Sequence, residues 1–263
     1  MVLYRVTISR SRDRVTAALL DAYRPWDLPD VFLGEGERLD ESTVAMTAGD
    51  ARATISVTAH DGGALTQVVV RHDPVSSPIA GTEPESGWRE AWPILLARLK
   101  AHLEGVPLVS IPPDEGGPKD PVAMSTVLPA SQKRVWAALT EPDDLGAWVA
   151  ERADVALEPG GTYDWGWSGE GPTQLLALDV GRSLVTNWHF PDGHEGRVEW
   201  TVGADPGGAR ISLVHHGFGR PDEWPRLGYF WGWADFLQAL SLYLSGAGAS
   251  DTWRGRVADE ATS

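Results

Sequence analysis

The sequence contains no cysteine, which removes disulfides, thiolate nucleophiles and thiolate metal sites at one stroke. Lysine is nearly missing as well: Lys100, Lys119 and Lys133 are three of 22 basic residues, set against 37 acidic ones. The resulting net charge of −15, with no Lys/Arg-rich run, repels a phosphate backbone, so no nucleic-acid partner is expected. No apolar run approaches the ~20 residues needed to cross a bilayer, so no membrane partner is expected either. The opening stretch to Arg14 alternates apolar and polar residues instead of forming an apolar h-region, and a cytoplasmic location is the default expectation. Enzyme signatures are missing too. There is no Gly-x-Ser-x-Gly elbow, no Walker-type loop and no dinucleotide fingerprint, so no catalytic residue, metal or cofactor is assigned.

What is present is a foldable chain: 42% of the 263 residues are hydrophobic and 22% charged. Thirteen tryptophans are many for this length, and such large side chains line interiors or interfaces.

An internal repeat organises the chain. Arg14-Val15-Thr16-Ala17-Ala18-Leu19 reads almost as Arg134-Val135-Trp136-Ala137-Ala138-Leu139, at an offset of 120. Asp61-Gly62-Gly63-Ala64 recurs as Asp205-Pro206-Gly207-Gly208-Ala209. Gly87, Trp92, Leu96, Leu99, Leu103 and Gly105 then meet Gly228, Trp233, Leu237, Leu240, Leu244 and Gly246 at an offset of 141. The difference, 141 − 120 = 21 residues, amounts to about two strands with their turns that the first copy lacks. The expected division is a degenerate domain over 1–105, a Pro/Gly-rich linker over 106–120, a full domain over 121–246 and a flexible tail over 247–263.

In the second copy a strand is expected over 122–129, then a short helix capped by Ser131. Pro142 should stop it and Asp143 cap a second, ending near Trp148. Strand-like runs follow at 152–157, 161–167, 173–180, 183–190, 195–203 and 208–216, with turns at Glu158-Pro159-Gly160-Gly161 and Asp192-Gly193. A long helix from about Trp224 to Tyr243 closes the copy, with Tyr229, Trp233, Phe236, Leu237, Leu240 and Leu244 forming one apolar stripe. The fold class implied is α+β: a curling antiparallel sheet wrapped around a long C-terminal helix, in two tandem copies. Space left between sheet and helix would be a ligand cavity.

Several of these segments resemble the activator of heat-shock protein 90 ATPase homologue family, within the START-like (SRPBCC), helix-grip superfamily. The resemblance is carried by Pro129 through Thr140, by Asp143-Asp144-Leu145-Gly146-Ala147-Trp148, by Glu158-Pro159-Gly160-Gly161-Thr162-Tyr163 and by Arg182 through Trp188. His215-His216-Gly217-Phe218, Gly232-Trp233 and Leu240 through Leu244 complete it, over residues 122–246. It implies one of three roles: binding a hydrophobic small molecule or acting in a stress or regulatory response, a polyketide aromatase/cyclase-like reaction, or a cochaperone-like interaction. The first half resembles the family only through the repeat. It lacks the Trp165/Trp167 strand and the segment around Trp188, and Pro93 stands where the second copy has Ala234, so its terminal helix should start late or kink.

The candidate pocket lining is aromatic. Tyr163, Trp165 and Trp167 alternate and so would share one sheet face. Trp188 and Trp200 lie on other expected strands, and Tyr229, Trp233 and Phe236 on the helix stripe. These residues line either a pocket for a flat or apolar ligand or a filled aromatic core; the sequence leaves both open. His189, His194, His215 and His216 cluster, but without metal-ligand spacing, and adjacent His215 and His216 must point to opposite faces. His215 shares parity with Ile211 and Leu213 and is the one expected inside. Phe230 and Trp231 fall beside the stripe, a position that suits docking against the first copy or a second subunit, as a homodimer contact.

Overall fold

A computed structural model of the protein describes residues 2–28, 33–78, 83–112, 117, 120–219 and 226–247. The chain divides into two compact units, one running to Leu108 and the other beginning at Val109. That boundary falls inside the expected linker, where Val106 and Val109 are buried and Pro107 and Ser110 exposed.

The first unit opens with β1 (Val2–Ile8) and α1 (Arg12–Leu20). It continues through β2 (Leu33–Arg38), β3 (Thr43–Ala48), β4 (Ala51–His60) and β5 (Leu65–His72), and closes with α2 (Pro84–Glu104). Its antiparallel sheet has the order β1-β5-β4-β3-β2. Alternation of buried and exposed residues along β4 and β5 gives that sheet one apolar face.

Helix α2 does not start late: it runs from Pro84 straight through Pro93. Proline has no N–H, so the carbonyl of Arg89, four residues back, loses its helical donor. The Tyr4 hydroxyl from β1 supplies the replacement, donating to Arg89 O at 2.8 Å. Tyr4→Phe is therefore expected to cost about 1–3 kcal/mol in urea unfolding by stranding that carbonyl. In a Pro93→Ala background, where the backbone N–H returns, the cost should fall well below that. An equal cost in both backgrounds would show the hydroxyl is not substituting for the missing donor.

The second unit opens with β6 (Val122–Leu128), α3 (Gln132–Thr140) and α4 (Pro142–Trp148). A small sheet pairs β7 (Asp154–Val155) with β8 (Tyr163–Asp164). Then come β9 (Leu175–Asp179), β10 (Ser183–His189), β11 (Glu195–Asp205), β12 (Gly208–His216) and α5 (Arg226–Leu244). The main sheet, again antiparallel, has the order β6-β12-β11-β10-β9. First strand beside last, meander outward, long helix at the end: the two units share this order. Among the described residues the first has no counterpart of β7–β8. It does have a strand, β3, at the place β10 holds in the second sheet, so the expected loss around Trp188 is a loss of side chains and not of a strand.

Ser131 caps α3 as expected, its side chain accepting from Arg134 N at 3.2 Å. The next helix differs from expectation. Pro142 begins α4, at its first turn where no N–H is needed, and Asp143 follows inside that turn instead of capping it. Its neighbour Asp144 pairs with Arg134 and accepts from the Tyr243 hydroxyl, tying α3, α4 and α5 together. The expected strand 161–167 is also shorter. It stops after Asp164 because Gly166 adopts a positive φ of 75°, close against Arg152 backbone atoms that a Cβ would meet at under 3 Å.

Helix α5 is not a one-sided stripe. Phe230, Trp231, Asp235 and Gln238 are buried along with Trp233, Leu237 and Leu240. Gln238 Oε1 accepts from Val109 N at 2.9 Å, and the Arg226 guanidinium donates to the Asp120 and Pro121 carbonyls. The expected helix start at Trp224 and, from residue 248 on, the expected tail over 247–263 lie outside the described residues.

Candidate functional site

The inward face of β10, β11 and β12 presents Trp188, Trp200 and His215 to Trp233 of α5. The ring centroids lie 5.1, 5.4 and 5.7 Å from that of Trp233. Strand register explains the grouping. Val198 faces His215 and Trp200 faces Leu213 across β11 and β12, so all of these residues share one buried surface. Trp165 joins them, its ring 5.9 Å from Trp188 and 6.3 Å from Trp233.

Around this floor stands a partly open rim. Trp167, Phe218, Tyr229 and Phe236 are each half-buried, whereas Trp165, Trp188, Trp200, His215 and Trp233 are closed from solvent. Trp167 packs on Phe236 at 5.4 Å and is anchored by its indole N–H to the Val149 carbonyl. Eight of the nine residues expected to line the site thus form one connected aromatic cluster. Tyr163 touches it through Trp165 at 6.3 Å, but its hydroxyl donates to Leu139 O at 2.6 Å and burial pushes its pKa up. It is a structural strut with no group to offer. Tyr163, Trp165 and Trp167 do meet, through the left-handed bend at Gly166 and not along one strand face.

His215 is the polar centre. Its Nδ1 accepts from the Trp233 indole N–H at 3.0 Å, which places the ring proton on Nε2. That Nε2 has no hydrogen-bond partner, and neither has Trp188 Nε1. Burial, then the neighbouring His216 and His194, hold the pKa of His215 down to about 3, so the ring is neutral. A histidine whose lone pair is already engaged, and whose charged form is so disfavoured, is poorly suited to take a proton from a substrate.

The other histidines play separate parts. His189 approaches Glu195 at 3.5 Å and the Thr173 hydroxyl at 3.0 Å, and His216 approaches Glu199 at 3.3 Å. His194 sits between the Asp192 carboxylate and the Gly217 carbonyl. Among the described residues no group of three or more His, Asp or Glu is placed to hold a metal.

Two contributors went unrecognised in the sequence. Phe190 is sandwiched between His194, stacked at 4.1 Å, and His215, stacked at 5.3 Å. Phe218 lies edge-on to His215 at 4.8 Å. Phe218 follows the end of a strand, where alternation no longer says which way a side chain points, whereas Phe190 shares the parity of Trp188 in the expected run 183–190. Gly196 makes room for Phe190, since a Cβ there would meet that ring at 2.7 Å. Phe230 and Trp231, read as docking residues, are 3% and 2% exposed, so neither ring stands open on a surface for a second subunit.

A five-stranded antiparallel sheet facing one long C-terminal helix across such a lined interior is the START-like, helix-grip class of fold. Residues 129–245, fewer than half of the chain, match the family model described as Activator of Hsp90 ATPase homolog 1-like protein. Solved structures similar to it include a Mesorhizobium loti protein, 21% identical over 48% of this chain and 97% of that one, with a TM-score of 0.42. CalU16 from Micromonospora echinospora is 19% identical over 51% and 80%, with a TM-score of 0.41. The Aha1 dimer from Colwellia psychrerythraea is 18% identical over 47% and 95%, with a TM-score of 0.42. Likenesses at this level carry no argument about ligand or assembly. No curated protein matches the chain.

Proposed function

We propose that the second unit binds a flat, apolar small molecule between the half-buried rim and the buried aromatic floor, and that it acts as a carrier or sensor in a stress or regulatory response. The supporting observation is the graded exposure of one connected ring cluster, open at Trp167 and Phe236 and closed at Trp165 and Trp188. Aromatic linings with few polar groups suit such ligands. A cyclase-like reaction is less well supported, because His215 has no free lone pair to move protons. The interaction reading loses Phe230 and Trp231 as exposed contacts. A cytoplasmic setting fits a chain without cysteine.

We further infer that the first unit is an abridged copy that packs and does not bind. The support is a repeated tie: Trp92 Nε1 donates to His72 Nδ1 at 3.2 Å in the first unit, as Trp233 does to His215 in the second. The offsets are 233 − 92 = 141 for the tryptophans and 215 − 72 = 143 for the histidines. Among the described residues the rings against His72 are those of Trp88 and Trp92, and the Trp88 indole is already spent on the Ser76 carbonyl.

Nile red, a flat neutral dye, provides the test. Saturable fluorescence enhancement with wild-type protein is expected, weakened at least tenfold in Trp167→Ala/Phe236→Ala, a rim variant that leaves the floor intact. No saturable binding, or binding indifferent to the rim, would remove the basis for a ligand site here.

A further inference from the structure

The floor of the aromatic cluster carries hydrogen-bond donors and no acceptor to meet them. Trp188 and His215 are 2% and 0% exposed, their rings in contact with centroids 4.9 Å apart. Because Trp233 fixes the His215 tautomer, both rings offer an N–H, and neither N–H has a partner. What surrounds His215 is ring: Phe190 stacked on one face, with Phe218 and Tyr229 set edge-on at 4.8 and 5.3 Å. Aromatic faces are weak acceptors, and a buried N–H left with nothing better is a standing cost. Trp165 Nε1 and Trp231 Nε1 are unpaired as well; Trp165, its ring 5.9 Å from that of Trp188, belongs to the same floor, whereas Trp231, two helical positions from Trp233, looks to a different side of α5.

We propose that the molecule taken up by the second unit carries an acceptor oxygen on its apolar body, of the aryl ketone or quinone class, and that Trp188 Nε1 and His215 Nε2 donate to it. The inference rests on reading this interior as a ligand site. Donors without acceptors select against hydroxyl or amine donors and against cations, and they reward a carbonyl. A site built around a buried hydrogen-bonding group rejects the analogue that cannot complete the bond.

The matched probes are 9-fluorenone and fluorene, flat tricycles of one outline that differ by C=O against CH2. By titration calorimetry, fluorenone is expected to bind wild type about tenfold or more tightly than fluorene, the ratio that about 1.4 kcal/mol gives. His215→Asn keeps an oxygen near the Nδ1 position for Trp233 while removing the Nε2 donor; there the preference should shrink to about twofold or less, fluorenone losing more affinity than fluorene. Trp188→Phe, which keeps a ring and drops only the N–H, should show the same partial loss and guards against a folding artefact at position 215. In the wild-type complex the carbonyl stretch of fluorenone should move to lower frequency. Equal binding of the two probes, with fluorene bound well, would overturn the acceptor requirement while leaving the site itself intact. Failure of both to bind would overturn the site and this inference together.

Discussion

Lowering the pH from 7 to 5 is expected to cost the protein about 3–4 kcal/mol of folding stability, most of it from two histidines. His72 and His215 are held down to about 4 and about 3 by burial, against an ordinary value of 6.5. In His215 the neighbouring His216 and His194 push the same way; in His72 the adjacent Asp73 and the Ala48 carbonyl oppose it. A base with a lowered folded pKa is neutral in the native state while its unfolded counterpart picks up a proton. Stability is therefore whole above pH 6.5 and declines below it by about 1.4 kcal/mol per pH unit for each group, until the folded pKa is reached. Both folded values lie below pH 5, so over this window the two groups contribute about equally. Asp27, whose pKa burial raises, works in the opposite sense near its own titration at lower pH. Urea unfolding at pH 7, 6 and 5 provides the measurement, with His215→Asn expected to flatten the slope by about half. Equal stability at pH 7 and pH 5 would mean that these rings are not kept neutral by the fold.

Trp165→Ala should be the most damaging single truncation in the second unit, at about 3–5 kcal/mol. Trp165 is 1% exposed, and six other rings have centroids within 6.4 Å of its own: Trp148, Tyr163, Trp167, Trp188, Trp233 and Phe236. It joins the β8 end of the small sheet to the main sheet and to α5, so its removal leaves a void that several elements cannot all close at once. Trp167→Ala removes a ring of the same size from the half-buried rim, where solvent already reaches, and should cost about half as much or less. Thermal or urea melting of both variants tests the ranking. Similar losses at 165 and 167 would mean that floor and rim are not distinct.

Of the side chains in these two expectations His215, Trp165 and Trp167 stood out in the sequence and His72 did not, and their arrangement was only partly legible there. Strand alternation placed His215 inside and His216 outside, and helical spacing brought Trp233 towards the sheet, because both signals depend on local backbone period alone. The matching segments of the repeat fall on α1 and α3, at the turns before β5 and β12, and on α2 and α5. Trp165 and Trp167 were grouped correctly for the wrong reason: the left-handed bend at Gly166, set by close approach to Arg152, brings them together where a continuous strand was expected. Alternation could not reveal Phe218, which lies past a strand end, whereas Phe190 shares the parity of Trp188 in the expected run 183–190 and was legible there. Nor could it show that Pro93 is tolerated inside α2 because Tyr4, 89 residues away, completes the hydrogen bond it removes. The tautomer of His215 was equally hidden, since it depends on an indole from another element. Phe230 and Trp231 illustrate a further gap. Helical periodicity says which residues share a face but not how many faces are covered, and α5 is covered nearly all round.

The most direct test of a ligand site in the second unit is the indole region of a ¹⁵N–¹H spectrum of tryptophan-labelled protein, with the thirteen signals assigned by single Trp→Phe variants. Adding fluorenone should shift the Trp165, Trp167, Trp188 and Trp233 signals in a saturable way and leave Trp88 and Trp92 in place. Saturating shifts confined to Trp88 and Trp92, or a spectrum unchanged at high ligand, would contradict it.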